Sequence, residues 1–208
     1  MSIETELKFT VTDSILFDKI ASLNEIAGYR TIDRGRQKII DNCFDTPDYR
    51  LFKGKIVFRL RVLKNKSVLT FKADKDSTGS YYQRIEIESK TDATVKDICK
   101  GNLPNLPPVK AFREKVGDVS LIPTLKTENS RHTILLTYKN TPHYELVLDD
   151  VTFTGPRGTA AVKELEVESL FDTDNDLETI GAWLTKRFDL KVAGPSKYIL
   201  GMELVGKV

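Results

Sequence analysis

The chain has 208 residues, 40% hydrophobic and 30% charged, which suits a single domain, residues 1–208, with a core large enough to fold without staples. Thirty-two basic side chains nearly balance thirty acidic ones, and a net charge of +2 argues against a nucleic-acid-binding domain, whose sign is a basic surplus gathered on one face. Cys43 and Cys99 stand in no metal-ligand spacing, no apolar run approaches the roughly 20 residues of a membrane span, and the acidic N-terminus lacks a signal-peptide core, so a cytoplasmic protein without a membrane partner is expected.

In chain order, Ile3–Phe9 alternates with period two and puts Glu4, Glu6 and Lys8 on one face. Asp13 is placed to cap a helix whose apolar positions are Ile15, Leu16, Ile20 and Leu23. A strand is expected around Lys38–Phe44. Residues 56–63 set Arg59 and Arg61 against Ile56, Phe58, Leu60 and Val62, and after a turn at Lys64-Asn65-Lys66, Val68–Ala73 sets Thr70 and Lys72 against Leu69 and Phe71. Beyond a second turn at Lys75–Ser80, Tyr82–Glu88 carries Arg84, Glu86 and Glu88 opposite Gln83, Ile85 and Ile87. Short helices are expected at Thr94–Cys99 and Ala111–Val116, split by the proline-rich loop Leu103–Pro108. A strand over Leu121–Leu136 is expected to break at the polar stretch near Asn129. Glu145 and Asp149 then share a face opposite Leu146 and Leu148, and Glu164, Glu166 and Glu168 line up opposite Leu165 and Val167. Asp176–Phe188 has helical spacing at Leu177, Ile180, Trp183 and Leu184. The class is α+β: about eight antiparallel strands, which can close into a barrel, with a few flanking amphipathic helices.

An antiparallel sheet with one wet face also alternates polar and apolar residues, and for a single strand that is the commoner cause. Two features of the set point inward instead. The polar faces are almost purely ionic, and their signs segregate by strand, with carboxylates at 4, 6, 145, 149, 164 and 166 and cations at 59, 61, 72 and 84. Like charges destabilise a sheet unless a counter-ion neutralises them. Alternate glutamates spaced roughly 7 Å apart can converge on a hard cation, and guanidinium forks suit phosphate oxygens.

Glu4-Thr5-Glu6-Leu7-Lys8 resembles the Glu-x-Glu-x-Lys signature of the CYTH superfamily, the triphosphate tunnel metalloenzymes. Further elements follow in order: Asn42–Asp48 with its Phe-Asp-Thr-Pro-Asp core, Phe58-Arg59-Leu60-Arg61, Leu69-Thr70-Phe71-Lys72, Arg84-Ile85-Glu86, Leu148-Asp149, Lys163–Glu168 and Pro195-Ser196-Lys197-Tyr198. The resemblance implies an eight-stranded antiparallel tunnel open at both ends. It implies that Glu4, Glu6, Asp149, Glu164 and Glu166 hold Mg²⁺ or Mn²⁺, with Glu168 outside that set. Lys8, Arg59, Arg61, Lys72, Arg84, Arg131 and Lys197 would grip phosphate, and Glu4, Glu6, Lys8 and Glu166 would carry the catalysis. Many members place a further cation on the sixth strand; here Glu128 removes that role from position 128, and the Thr-acid-x-x-Arg run resembles bacterial inorganic triphosphatases.

The implied activity is metal-dependent hydrolysis of inorganic triphosphate to pyrophosphate and orthophosphate, by a monomer or homodimer with no nucleic-acid partner. Three alternatives stay open: a class IV adenylyl cyclase, a thiamine or nucleoside triphosphatase, and a non-catalytic polyphosphate-binding module. Tyr81 and Tyr82 could stack a base, although the neighbouring glycine suggests a turn. His132 and His143 fit no ligand spacing, and no P-loop motif occurs.

Overall fold

Period-two alternation becomes β-strand wherever the sequence shows it. The computed structural model describes residues 2–64, 66–74, 82–171 and 176–207. The expected turns at Asn65 and Lys75–Ser80, Tyr81 and the side chain of Tyr82 lie outside the described residues. The strands are β1 (Ser2–Val11), β2 (Glu25–Ile26), β3 (Tyr29–Asp45), β4 (Ile56–Leu63), β5 (Lys66–Asp74), β6 (Tyr82–Thr91), β7 (Ile122–Tyr138), β8 (Thr141–Gly155), β9 (Gly158–Ser169) and β10 (Lys191–Val192). Six helices accompany them among the described residues: α1 (Ser14–Ala21), α2 (Arg50–Lys53), α3 (Val95–Cys99), α4 (Pro107–Val116), α5 (Leu177–Phe188) and α6 (Lys197–Val205).

All pairings are antiparallel. The order β1-β6-β5-β4-β3-β7-β8-β9 returns to β1, so eight strands form a closed ring, and β2 and β10 are short additions to β3 and β1. Strand β1 makes the closure: Ser2–Glu6 pair with β6 on one side, and Glu6–Val11 pair with β9 on the other.

Apolar residues on the outer face need cover, and the helices supply it. Leu7, Phe9, Leu146, Leu148, Leu165 and Val167 pack under Phe17 and Ile20 of α1 and Ile180 and Leu184 of α5. On the other flank Phe58, Leu60, Leu69 and Phe71 lie beneath Ile98 of α3 and Val109 and Phe112 of α4. Each such Leu or Phe, removed from water, contributes about 1.5–3 kcal/mol. Gly181 of α5 permits the closest approach, since a Cβ there would meet Leu7 Cδ1 at 2.6 Å.

Besides the short elements β2, α2 and β10, which were not expected, the structure differs from the sequence reading at four places. Strand β3 begins at Tyr29, well before Lys38, because a bulge at Arg34 resets the alternation that marks a strand. Strand β7 runs unbroken through Asn129, whose side chain faces the ring interior while its backbone stays in the ladder. Helix α4 starts at Pro107, because prolines in a first helical turn lose no hydrogen bond. Helix α6 has no counterpart among the expected elements.

That helix sets the shape of the interior. Along β3, β4, β7 and β8 the inward positions change from charged to apolar toward one end, at Cys43, Val57, Leu125, Val151 and Phe153. Tyr198, Met202 and Val205 of α6 pack against these residues and fill that end, so the ring is not open at both ends as the resemblance implies. Gly201 lets the helix enter, for a Cβ there would meet Leu125 Cδ2 at 2.6 Å and Phe153 Cδ1 at 2.7 Å.

Candidate active site inside the strand ring

Above α6 the ring encloses a cavity of about 180 Å³. All seven predicted phosphate-gripping residues, Lys8, Arg59, Arg61, Lys72, Arg84, Arg131 and Lys197, line it, as do Glu4, Glu6 and Glu166. Asp149 and Glu164 sit one layer back, buried behind Lys197. Register explains the convergence: Glu4 is opposite Arg84, Lys8 opposite Glu166, Asp149 opposite both Arg131 and Glu164, and Lys72 opposite Glu86.

Three knots of ion pairs hold these charges. In the first, Lys8 Nζ lies 2.9 Å from Glu166 and 3.1 Å from Glu6, and Lys197 Nζ reaches Glu166, Glu164 and Asp149 at 2.6, 2.9 and 3.0 Å. Arg131 donates both arms of its fork to Asp149, at 2.8 and 2.6 Å, and a third bond to Glu166 at 3.2 Å. In the second, Lys72 bridges Glu4 at 2.8 Å and Glu86 at 3.0 Å, while Arg84 pairs with Asp74 at 3.0 Å. In the third, Arg61 donates twice to Asp41, at 2.8 and 2.9 Å, and Arg59 spans Asp41, Glu86 and Glu88 at 3.3, 3.7 and 3.9 Å.

Burial and neighbouring charge push these groups in opposite directions. Burial alone would raise the Glu166 carboxyl, but Lys197, Lys8 and Arg131 hold it well below the usual range. At Glu6 burial prevails, aided by repulsion from Glu166 and Glu4 over the attraction of Lys8, and its carboxyl is raised. Burial and Glu4 push Glu168 up to about 8. Charge compensation is therefore uneven, with Glu4 held down by Lys72 and a shortage of cation beside Glu6 and Glu168.

Several residues that line the cavity were given no role in the sequence reading. Asp41 sits on a stretch that mixes apolar and polar side chains on each face, so nothing marked it. Glu86 and Glu88 showed on a charged face, Glu86 within the Arg84-Ile85-Glu86 element, but neither was assigned a ligand role. Position 128 also reads differently in the structure: Glu128 points away from the cavity to Lys126 and Lys38, and Asn129 is the residue that faces inward. The Asp-Thr-Pro-Asp element is architectural. Asp45, fully buried, accepts from the amides of Thr46, Leu51 and Phe52 and from the Tyr198 hydroxyl at 2.8 Å, tying α2 and α6 to the ring.

Among the described residues no three acidic, histidine or cysteine side chains form a preassembled metal cage. The donor set nevertheless fits a hard divalent cation. Glu6 Oε1 and Glu164 Oε2 are buried without a hydrogen bond, although lysine ammonium groups lie 3.1 and 2.9 Å away in poor alignment. Arg59 Nε and Asn129 Oδ1 are likewise buried without a hydrogen bond. Buried polar atoms are rarely left so, and a cluster around one cavity marks a place where a ligand completes the bonding.

Among the described residues no helix is long and apolar enough to cross a membrane. A search of curated proteins finds no match. Solved structures do match over nearly the full chain. A Bacillus halodurans protein provisionally classed as an adenylate cyclase superposes with a TM-score of 0.70 at 16% identity, covering 96% of this chain and 98% of its own. A Hippeastrum protein named as an adenylyl cyclase, with a dominant triphosphatase activity, gives 0.68 at 14% identity and covers 97% and 96%. A Pyrococcus horikoshii protein gives 0.57 at 19% identity and covers 98% and 99%. At these identities the likeness is one of fold. Residues 2–197 match the CYTH domain, and the ring with its inward ionic strands is the product of a sequence that belongs to the CYTH family.

Proposed function

We propose that the chain hydrolyses inorganic triphosphate to pyrophosphate and orthophosphate inside the ring, as an enzyme dependent on Mg²⁺ or Mn²⁺. The observation that carries this reading is the convergence of seven cationic side chains on one cavity of about 180 Å³. A small, densely charged anion suits such a lining. A nucleoside finds little to stack on, because Tyr198 is the one aromatic side chain among the described cavity residues and its hydroxyl is committed to Asp45.

The cations are held ready by carboxylates in the absence of substrate. Phosphate oxygens replace Asp41 on Arg59 and Arg61, and the buried Nε of Arg59 gains the partner it lacks. Lys72 and Arg84 neutralise the middle of the chain, and Lys8, Arg131 and Lys197 neutralise the end nearest Glu166. Glu4, Glu6, Asp149, Glu164 and Glu166 would hold the divalent ion, which when bound polarises phosphoryl oxygens and makes water more acidic. Glu166, kept ionised by its three cations, accepts a hydrogen bond from the attacking water and orients it, and the proton passes to a non-bridging phosphoryl oxygen as the phosphoanhydride bond breaks. No covalent nucleophile takes part.

Phosphorus NMR of reactions with triphosphate and with ATP, each with Mg²⁺ or Mn²⁺, tests the assignment. Triphosphate consumed faster than ATP, with one pyrophosphate and one orthophosphate formed per turnover, is the expected result. Cyclic AMP with pyrophosphate as products would replace this reading with the cyclase, and binding without turnover would replace it with the polyphosphate-binding module.

A further inference from the structure

We propose that Arg34 and the concave wall around it form a second anion subsite at the open mouth of the ring, one that holds the phosphate groups of a linear polyphosphate beyond the three seated in the cavity. The proposal rests on the triphosphatase reading for what occupies the cavity itself.

The wall follows from unequal strand pairing. Strand β4 pairs with β3 only over Ile40–Phe44, whereas β7 pairs with β3 from Arg30 to Asp45. The first half of β3, with β7 and β8, therefore stands above the rest of the ring on one side. In this part Asp33 is opposite Ile134 and Gly35 opposite Thr133, which leaves Arg34 as the extra residue of a bulge. Gly35 takes φ +84°, a conformation that costs a side-chain-bearing residue dearly. Asp33 clamps the turn from outside, accepting from Gly35 N at 2.6 Å and lying 2.8 Å from His132 Nε2. The bulge is a braced structure that aims one arginine.

The arginine faces a cavity of about 310 Å³ whose other walls include Gln37, Thr133 and Glu145. This hollow adjoins the catalytic one: Gln37 is the cross-strand partner of Arg131, and Glu145 that of Glu168. Arg34 differs from the cations around it. Arg36 pairs with Asp18 at 3.5 Å and Lys38 with Glu128 at 3.1 Å, but among the described residues the Arg34 side chain has no ion pair or hydrogen bond. Charges on an edge strand also discourage unwanted pairing between molecules, and that alone could account for an arginine there. It does not account for a concave wall continuous with the active site. Glu145 repels an anion at the far wall and keeps it on the Arg34 side. Since α6 fills the opposite end of the ring, a chain longer than the cavity leaves it here.

The test compares tripolyphosphate, tetrapolyphosphate and a chain of about fifteen phosphates on the full protein. Arg34→Ala should leave kcat/KM for tripolyphosphate within about twofold and lower it for the longer chains about fivefold, the size of an exposed charge contact. Arg34→Glu should lower it further, Arg34→Lys should restore most of it, and the difference between lengths should shrink at high salt. Equal effects on all three lengths, or none, would overturn the subsite. Calorimetric binding of the same three anions separates this outcome from failure of the triphosphatase reading. A protein that hydrolyses none of them must still lose affinity for the long chains, and not for tripolyphosphate, when Arg34 is removed.

Discussion

Asp41 shows how much a single carboxylate contributes to an interior built of charge. Burial would lift its carboxyl, but Arg59 and Arg61 outweigh burial and hold it at about 2. Because that value lies below the unfolded one, the stabilisation is complete above pH ~4 and is lost as the pH falls through about 2. A shift of this size is worth about 2 kcal/mol. Asp41→Asn should therefore unfold about 2 kcal/mol more easily at neutral pH and show a flatter acid limb, as measured by denaturant titration across pH 2–7. The cysteines give a second check at this scale. Burial pushes the Cys43 thiol up to about 12, whereas Cys99 is exposed. A thiol reagent should label one cysteine in the native protein and two after unfolding, and rapid labelling of both would show that the packing around Cys43 is loose. Residues in strict alternation were legible in the sequence because each polar face carried one kind of chemistry. Asp41 and Asn129 were not: one lies in a mixed segment, and the other's direction depends on register, which is a property of the partner strand.

Helix α6 was illegible for a different reason. An amphipathic helix betrays itself by one apolar stripe, but Tyr198, Ile199, Leu200, Met202, Leu204 and Val205 surround α6 on most sides. Its sequence reads as a short apolar run with no period, and only the inward apolar residues of four distant strands explain it. The helix also delivers Lys197 to Glu166, so its seating and the chemistry are coupled. Gly201→Val should cost about 1–3 kcal/mol through overpacking against Leu125 and Phe153. It should also reduce kcat/KM for triphosphate, because a helix pushed outward withdraws Lys197. Gly194→Ala serves as the control, since a Cβ there meets nothing within 4 Å. Equal activity in both variants would uncouple the helix from the site.

For the whole molecule, the sequence supplied the number of strands in the ring but not their order. Eight alternating segments fit an open sheet as well as a closed ring, and the choice falls to the pairing of Glu6–Val11 with Lys163–Glu168 at the far end of the chain. Contacts so distant in sequence close late and make folding slow. Closure also gathers more carboxylate around Glu6 than the nearby lysines neutralise. A divalent ion that binds only the folded ring, at a hundredfold excess over its dissociation constant, adds about 2.7 kcal/mol of stability. Mg²⁺ or Mn²⁺ should therefore raise the melting temperature, and the Glu6→Gln, Glu166→Gln double variant should lose that response. An unchanged rise in the double variant would place the ion elsewhere.

The stopper formed by α6 has a kinetic consequence. Among the described residues everything that visits the interior shares a single doorway, so the fragment lodged deepest must wait for the fragment in front of it to leave. On the proposed triphosphatase reading, pyrophosphate that lingers at the threshold traps orthophosphate behind it, and added pyrophosphate should slow turnover more than added orthophosphate does. A blind passage also admits a strand only by its tip. A phosphate chain anchored to a bead at one end should be trimmed from its loose terminus, one anchored at both ends should survive intact, and scission in the middle of the doubly anchored chain would mean that the far end opens in solution.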